Sequence, residues 1–149
     1  MGFAPGSPFA SSLWGDPRDE PLQALGRAPW AVRSVVPLTS AGNIRFLNVV
    51  EAQLLTGRGS PGLADYLARA GVTKLLVRAD LTGVPVATPR AVTVRSALSG
   101  SPGLEPAVRF GPDIGGARVA DTVSDDGLDV AVPAVEVWRV RPATAPVEV

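Results

Sequence analysis

The sequence predicts a small α/β (α+β) domain, with a mixed sheet, about three helices and a loop-rich N-terminal third. Three observations carry this expectation. At 149 residues and 15.3 kDa the chain suits one hydrophobic core and leaves little for a second. Apolar residues recur at helical spacing in its middle, and short β-branched runs follow them. Pro5, Pro8, Pro17, Pro21, Pro29 and Pro37 interrupt the first third too often for a long helix or a central strand.

That first third, residues 1–41, is nonetheless too apolar for a disordered tail. Phe3, Phe9, Leu13, Trp14, Leu22, Leu25, Trp30, Val32, Val35 and Val36 predict an extended segment packed on the core, with one helical turn near residues 21–26. An α/β core over 42–141 follows, and 142–149 reads as a frayed tail or a linker. Ile44, Leu47, Val50 and Leu54 repeat in steps of three and four, so a helix is expected between Asn43 as cap and Gly57 as stop. A second helix is punctuated by Ser60 as N-cap, Pro61 in the first turn and Gly71 at the end, with Leu63, Leu67 and Ala70 on one face and Tyr66 beside them. Val72 to Val77 then reads as a buried strand. Thr88 and Pro89 open a third helix ending at Gly100, although Val92, Thr93 and Val94 leave a strand open. Ala107 to Phe110 and Ala134 to Val140 are expected strands, and Pro112 to Gly127 a Gly- and Asp-rich loop.

Composition removes several classes of function. Fourteen Lys+Arg balance fourteen Asp+Glu, so no basic excess is present to neutralise nucleic-acid phosphates. Without Cys or His, the usual ligands of structural zinc and the commonest general base near neutral pH are missing. No cofactor is expected. No run of about 18 apolar residues occurs, so no segment is expected to span a membrane. Residues 1–17 contain neither Lys nor Arg nor a long apolar stretch, and so do not resemble a signal peptide.

Three motifs invite chemistry, each with a plainer explanation beside it. Gly57, Gly59 and Gly62 in GRGSPG match the dinucleotide-binding spacing, with Arg58 near a helix start. A helix rather than a strand precedes them and Pro61 removes an N–H, so a helix-to-helix turn is the favoured reading. Asp121, Asp125, Asp126 and Asp129 form either a solvated acidic turn or an irregular calcium site; with Gly127 as the turn glycine, the EF-hand ligand positions fall on Thr122 and Pro133. In WGDPRDEP, Trp14 offers a flat face to a sugar ring, and Asp16, Asp19 and Glu20 can accept bonds from its hydroxyls or serve as acid and base. The same residues also suit a core-edge Trp beside a wet turn with Arg18. Arg33, Arg45 and Arg78 are candidates to pair with phosphate or carboxylate, or are surface residues. Asp80 follows a strand, where α/β sheets place functional groups and where turns also place Asp.

Six blocks in order, WGDPRDEPLQAL (Trp14 to Leu25), PWAVRSVVPL (Pro29 to Leu38), GRGSPGLADYLARAGVTKLLVRADL (Gly57 to Leu81), SGSPGL (Ser99 to Leu104), FGPDIGG (Phe110 to Gly116) and PAVEVWRV (Pro133 to Val140), resemble the membrane-embedded α-(1→3)-arabinofuranosyltransferases of the actinobacterial cell envelope. The resemblance implies a GT-C type glycosyltransferase that moves arabinofuranose from a polyprenyl-phosphate donor to cell-wall arabinan. This chain resembles only a soluble extracytoplasmic part of it, a fragment not expected to be active alone. The implied partners are the membrane-embedded remainder of the enzyme, the arabinan glycan and, indirectly, the lipid-linked donor. No catalytic residue carries over. Trp14, Asp16, Asp19, Glu20 and Arg33 become candidate acceptor contacts. A free-standing carbohydrate-binding or scaffold module is the alternative expectation.

Overall fold

The computed structural model describes residues 2–3, 27, 29, 41–81, 90–116 and 130–142. In chain order these residues form β1 (Gly2–Phe3), α1 (Ala41–Leu55), α2 (Leu63–Arg69), β2 (Lys74–Arg78), α3 (Ala91–Ser99), β3 (Leu104–Ile114) and β4 (Val132–Val140). The sheet order is β1-β2-β4-β3; β1 runs parallel to β2, and the other neighbours are antiparallel. A mixed sheet with three helices is thus what the described residues contain.

Helix α1 buries Leu47, Val50 and Leu54, the apolar set expected from its spacing. It begins at Ala41, so Asn43 lies in its first turn rather than capping it. Helix α2 starts two residues later than the Ser60 and Pro61 signals predict. Gly62 is its N-cap residue, without a side-chain cap, and the Ser60 carbonyl accepts from the Leu63 N–H at 3.3 Å in the preceding turn. Its inward residues are Leu63, Ala64 and Leu67, whereas Ala70 is exposed. The helix ends as expected: Gly71 has φ +72°, its N–H donates to the Ala68 carbonyl, and the Val72 N–H donates to the Leu67 carbonyl. That pair of bonds satisfies two terminal carbonyls and lets Val72 and Leu67 enter the same core. Strand β2 begins only at Lys74, because Val72 is spent on this cap.

Helix α3 settles the Val92-Thr93-Val94 ambiguity. β-Branched residues lose only about 0.7 kcal/mol or less in a helix, and burial of Ala97 and Leu98 outweighs that. Its C-cap Gly100 lies against the α1–α2 turn so closely that a Cβ on Gly59 would sit 1.8 Å from the Gly100 carbonyl oxygen. The Ser60 N–H donates to Ser101 Oγ at 2.9 Å, and that hydroxyl donates to the Ala97 carbonyl at 2.7 Å. Two bonds and a backbone contact therefore pin the turn to the end of α3.

Register decides which strand residues meet the helices. Leu75 opposes Trp138 and Val77 opposes Glu136 on β4, while Arg109 of β3 opposes Glu136 from the other side. Directly opposed residues share a face. Leu75, Val77, Trp138, Val140 and Leu104 accordingly join Val50, Leu54, Leu63, Leu67, Ala97 and Leu98 in one core. Strand β3 runs through Ile114, beyond the loop expected from Pro112. As the outermost strand it tolerates Pro106 and Pro112, and register shifts between Pro106 and Val108 and between Phe110 and Asp113 absorb the extra residues. Among the described residues no helix is long and apolar enough to cross a membrane.

Candidate functional site

Strand β4 alternates Ala134, Glu136, Trp138 and Val140 toward the helices, and this places a carboxylate where the pattern calls for an apolar residue. Glu136 is only 1% exposed. A buried carboxylate is costly unless paired and hydrogen-bonded, so its neighbours must be chosen to match. Glu136 Oε2 accepts from Trp138 Nε1 at 2.9 Å and from Arg95 Nε, reaching across from α3, at 3.0 Å. Its Oε1 faces Arg109 Nε at 3.4 Å and has no hydrogen-bond partner. Two guanidinium groups thus bracket one carboxylate. Their side chains reach the surface to different degrees, 28% for Arg95 and 62% for Arg109.

A second buried carboxylate stands two residues beyond β2. Asp80 accepts from Arg78 through both oxygens, from Nε to Oδ1 at 2.9 Å and from Nη2 to Oδ2. Both side chains are almost fully buried, and the Asp80 N–H donates to the Ala134 carbonyl at 3.2 Å. The fork-to-fork geometry is the strong form of this pair. It also occupies both oxygens of Asp80 and ties the end of β2 to β4. Asp80, which the sequence left between a functional group and a turn residue, is held in an internal ion pair, and Arg78 is its partner rather than a clamp for an external anion.

The GRGSPG turn likewise has a structural explanation. The Arg58 N–H donates to Thr56 Oγ1, its carbonyl accepts from Gln53 Nε2, and the residue is exposed. Gly59 is small because the end of α3 occupies the space of its side chain. Arg45 lies exposed on α1. Trp14, Asp16, Asp19, Glu20 and Arg33 lie outside the described residues, as do Asp121, Asp125, Asp126 and Asp129. Among the described residues no group of three or more Asp or Glu is placed to hold a metal ion.

Sequence reasoning passed over Glu136. The available signal was a lone Glu on the inward face of a strand, two residues before a Trp whose N–H needs an acceptor. Its role is expected to be structural. Glu136→Gln keeps an acceptor for Trp138 Nε1, whereas Glu136→Ala leaves that N–H orphaned at a cost of roughly 1–3 kcal/mol. Thermal unfolding should therefore rank the native chain above Gln and Gln above Ala. Should the Ala variant match the native chain, the carboxylate contributes nothing to the core.

The family described as alpha-(1->3)-arabinofuranosyltransferase, N-terminal GT-C domain, matches residues 3–149. The chain is 46% identical over 142 residues to the alpha-(1->3)-arabinofuranosyltransferase of Mycolicibacterium smegmatis, and 43% identical over 142 residues to that of Mycobacterium tuberculosis. In each case the match takes in 95% of this chain and 10% of the relative, so the chain spans about a tenth of the length of these curated relatives. The cryo-EM structure of arabinofuranosyltransferase AftD from mycobacteria superposes with a TM-score of 0.80 at 42% identity, over 94% of this chain and 11% of that one. A mutant of the same enzyme matches equally, with a TM-score of 0.80 over 95% of this chain. Fold and sequence agree along almost the whole length, and the chain belongs to the α-(1→3)-arabinofuranosyltransferase family, within its N-terminal GT-C domain.

Proposed function

We propose that this chain is a non-catalytic, extracytoplasmic part of a membrane arabinofuranosyltransferase, and that it supports positioning of the acceptor glycan. The whole enzyme would transfer arabinofuranose from a polyprenyl-phosphate donor to cell-wall arabinan. The family match over residues 3–149 carries this reading, taken with described helices too short or too polar to cross a bilayer. A lipid-phosphate donor keeps its apolar tail in the membrane, and a part without a spanning surface cannot hold that tail and also attack the anomeric carbon. The two buried carboxylates among the described residues favour the same division of labour, because Asp80 and Glu136 are committed to arginines within the fold.

On this reading residues 42–141 are a scaffold, residues 1–41 lie on it, and 142–149 lead away as a linker. The pairing of Gly2–Phe3 with Leu76 and Val77 supports the packing of that first segment against the sheet. Trp14 would stack on a sugar ring, Asp16, Asp19 and Glu20 would accept bonds from its hydroxyls, and Arg33 would donate to them. The test is a graft, in which this chain replaces the matching tenth of the Mycolicibacterium smegmatis relative. Replacing Trp14 and Asp19 by Ala in that graft should raise the KM for an arabinan acceptor, while binding of the lipid-linked donor stays the same. Unchanged acceptor kinetics in a normally folded graft would remove these residues from the site.

A further inference from the structure

Two arginines reach the same buried carboxylate by their inner nitrogens and leave their outer ones open. Arg95 of α3 donates to Glu136 Oε2 through Nε at 3.0 Å, and Arg109 of β3 approaches Oε1 through Nε at 3.4 Å. Among the described residues no hydrogen bond uses the Nη groups of either side chain. Arg78 is the contrast within the same fold. It closes its fork on Asp80 with Nε and Nη2 together, and both partners of that pair are buried. The Arg95 side chain is instead partly exposed and that of Arg109 mostly exposed.

One carboxylate against two guanidinium groups leaves one positive charge at this point. The remaining carboxylates of α3, β3 and β4 do not cancel it. Helix α3 carries no Asp or Glu; on β3, Glu105 is bound by Arg141 and Asp113 stands toward the other end, opposite Pro133. Glu136 is itself fixed, almost fully buried with its Oε2 accepting from Trp138 Nε1 at 2.9 Å.

We infer that the outer edges of Arg95 and Arg109 form a binding site for an oxyanion of the phosphate class, either free phosphate or the phosphate of a lipid headgroup. A tetrahedral oxyanion has an oxygen-to-oxygen bite close to that of the carboxylate the two arginines already share, so one anion can meet both. Its charge matches the excess. Guanidinium donors suit phosphate oxygens in geometry and stay charged across the whole working pH range. The arginines are the contacts, and Glu136 is the positioning residue that turns both Nε groups inward. The inference rests on this geometry and not on the acceptor-positioning role.

Arginine-selective labelling of the grafted enzyme with phenylglyoxal, read peptide by peptide by mass spectrometry, tests it. At a Kd of about 1 mM, about 10 mM inorganic phosphate should slow labelling of Arg109 about tenfold relative to chloride at the same ionic strength. Arg45, exposed on α1, should be labelled equally in both salts. Arg95→Gln can still donate to Glu136 but removes the excess charge, and should abolish the protection of Arg109. Arg95→Lys keeps the charge and should retain part of it. Phosphate against chloride on the native graft needs no variant, so the main result stands even where a substitution unfolds the protein. The graft in phosphatidylglycerol nanodiscs without added phosphate is the second arm. Protection there that Arg95→Gln abolishes assigns the phosphate to a lipid headgroup, whereas protection by added phosphate alone assigns it to the free anion. Labelling of Arg109 that neither phosphate nor lipid slows, slowing shared by Arg45, or slowing that survives Arg95→Gln would overturn the inference. Acceptor kinetics are not read here, so its failure leaves the expectation for Trp14 and Asp19 standing.

Discussion

Trp138→Ala is expected to cost about 3–5 kcal/mol, the usual penalty for emptying a large aromatic site. Trp138 is 1% exposed and sits opposite Leu75 in the core, so its truncation leaves a buried cavity. The substitution also removes the Nε1–H that holds Glu136 Oε2, and the carboxylate then depends on Arg95 alone for a hydrogen bond. In a domain of this length that loss corresponds to a fall of roughly 10 °C or more in the thermal midpoint. Trp138→Phe separates the two effects: most of the packing survives and only the donor goes. A Phe variant as unstable as the Ala variant would show that the hydrogen bond, rather than the ring volume, governs this site.

Gly103→Ala should rank next, at roughly 2–4 kcal/mol, because two penalties coincide. Gly103 has φ +83°, a conformation that side chains rarely adopt, and a Cβ there would lie 2.2 Å from the Arg141 carbonyl oxygen and 2.9 Å from the Ala64 side chain. The same glycine accepts the Arg141 N–H at 2.7 Å, so relieving the clash also loosens the junction of β3 and β4. Gly62→Ala is the matched control, with φ −100° and nothing within 4 Å of the added methyl. It should leave the thermal midpoint within a few degrees of the native chain. Equal effects of the two substitutions would mean that neither the backbone conformation nor the clash is felt.

What could be read in the sequence follows from which interactions are local. The spacing of Leu47, Val50 and Leu54, and the glycine closing α2, are set within one or two turns of chain, and both appear where expected. The start of α2 shifted because Ser60 is engaged elsewhere: its N–H donates to the Ser101 hydroxyl, 41 residues away, and Gly62 takes the N-cap position. The length of β3 was missed for a similar reason, since proline forbids a central strand but not an outer one, and position in the sheet is a property of the assembled fold. Glu136 is a tertiary site, made by residues 95, 109 and 138 around it, and no short window contains them. The family, by contrast, could be recognised from six ordered blocks, because identity of short runs in a fixed order does not depend on knowing their tertiary contacts.

The contact between Gly59 and Gly100 has a bearing on inheritance. A lineage that keeps this turn has no room for even a methyl at position 59. Glycine should therefore persist there in descendants whatever their sugar specificity, held by packing against Gly100 rather than by any ligand.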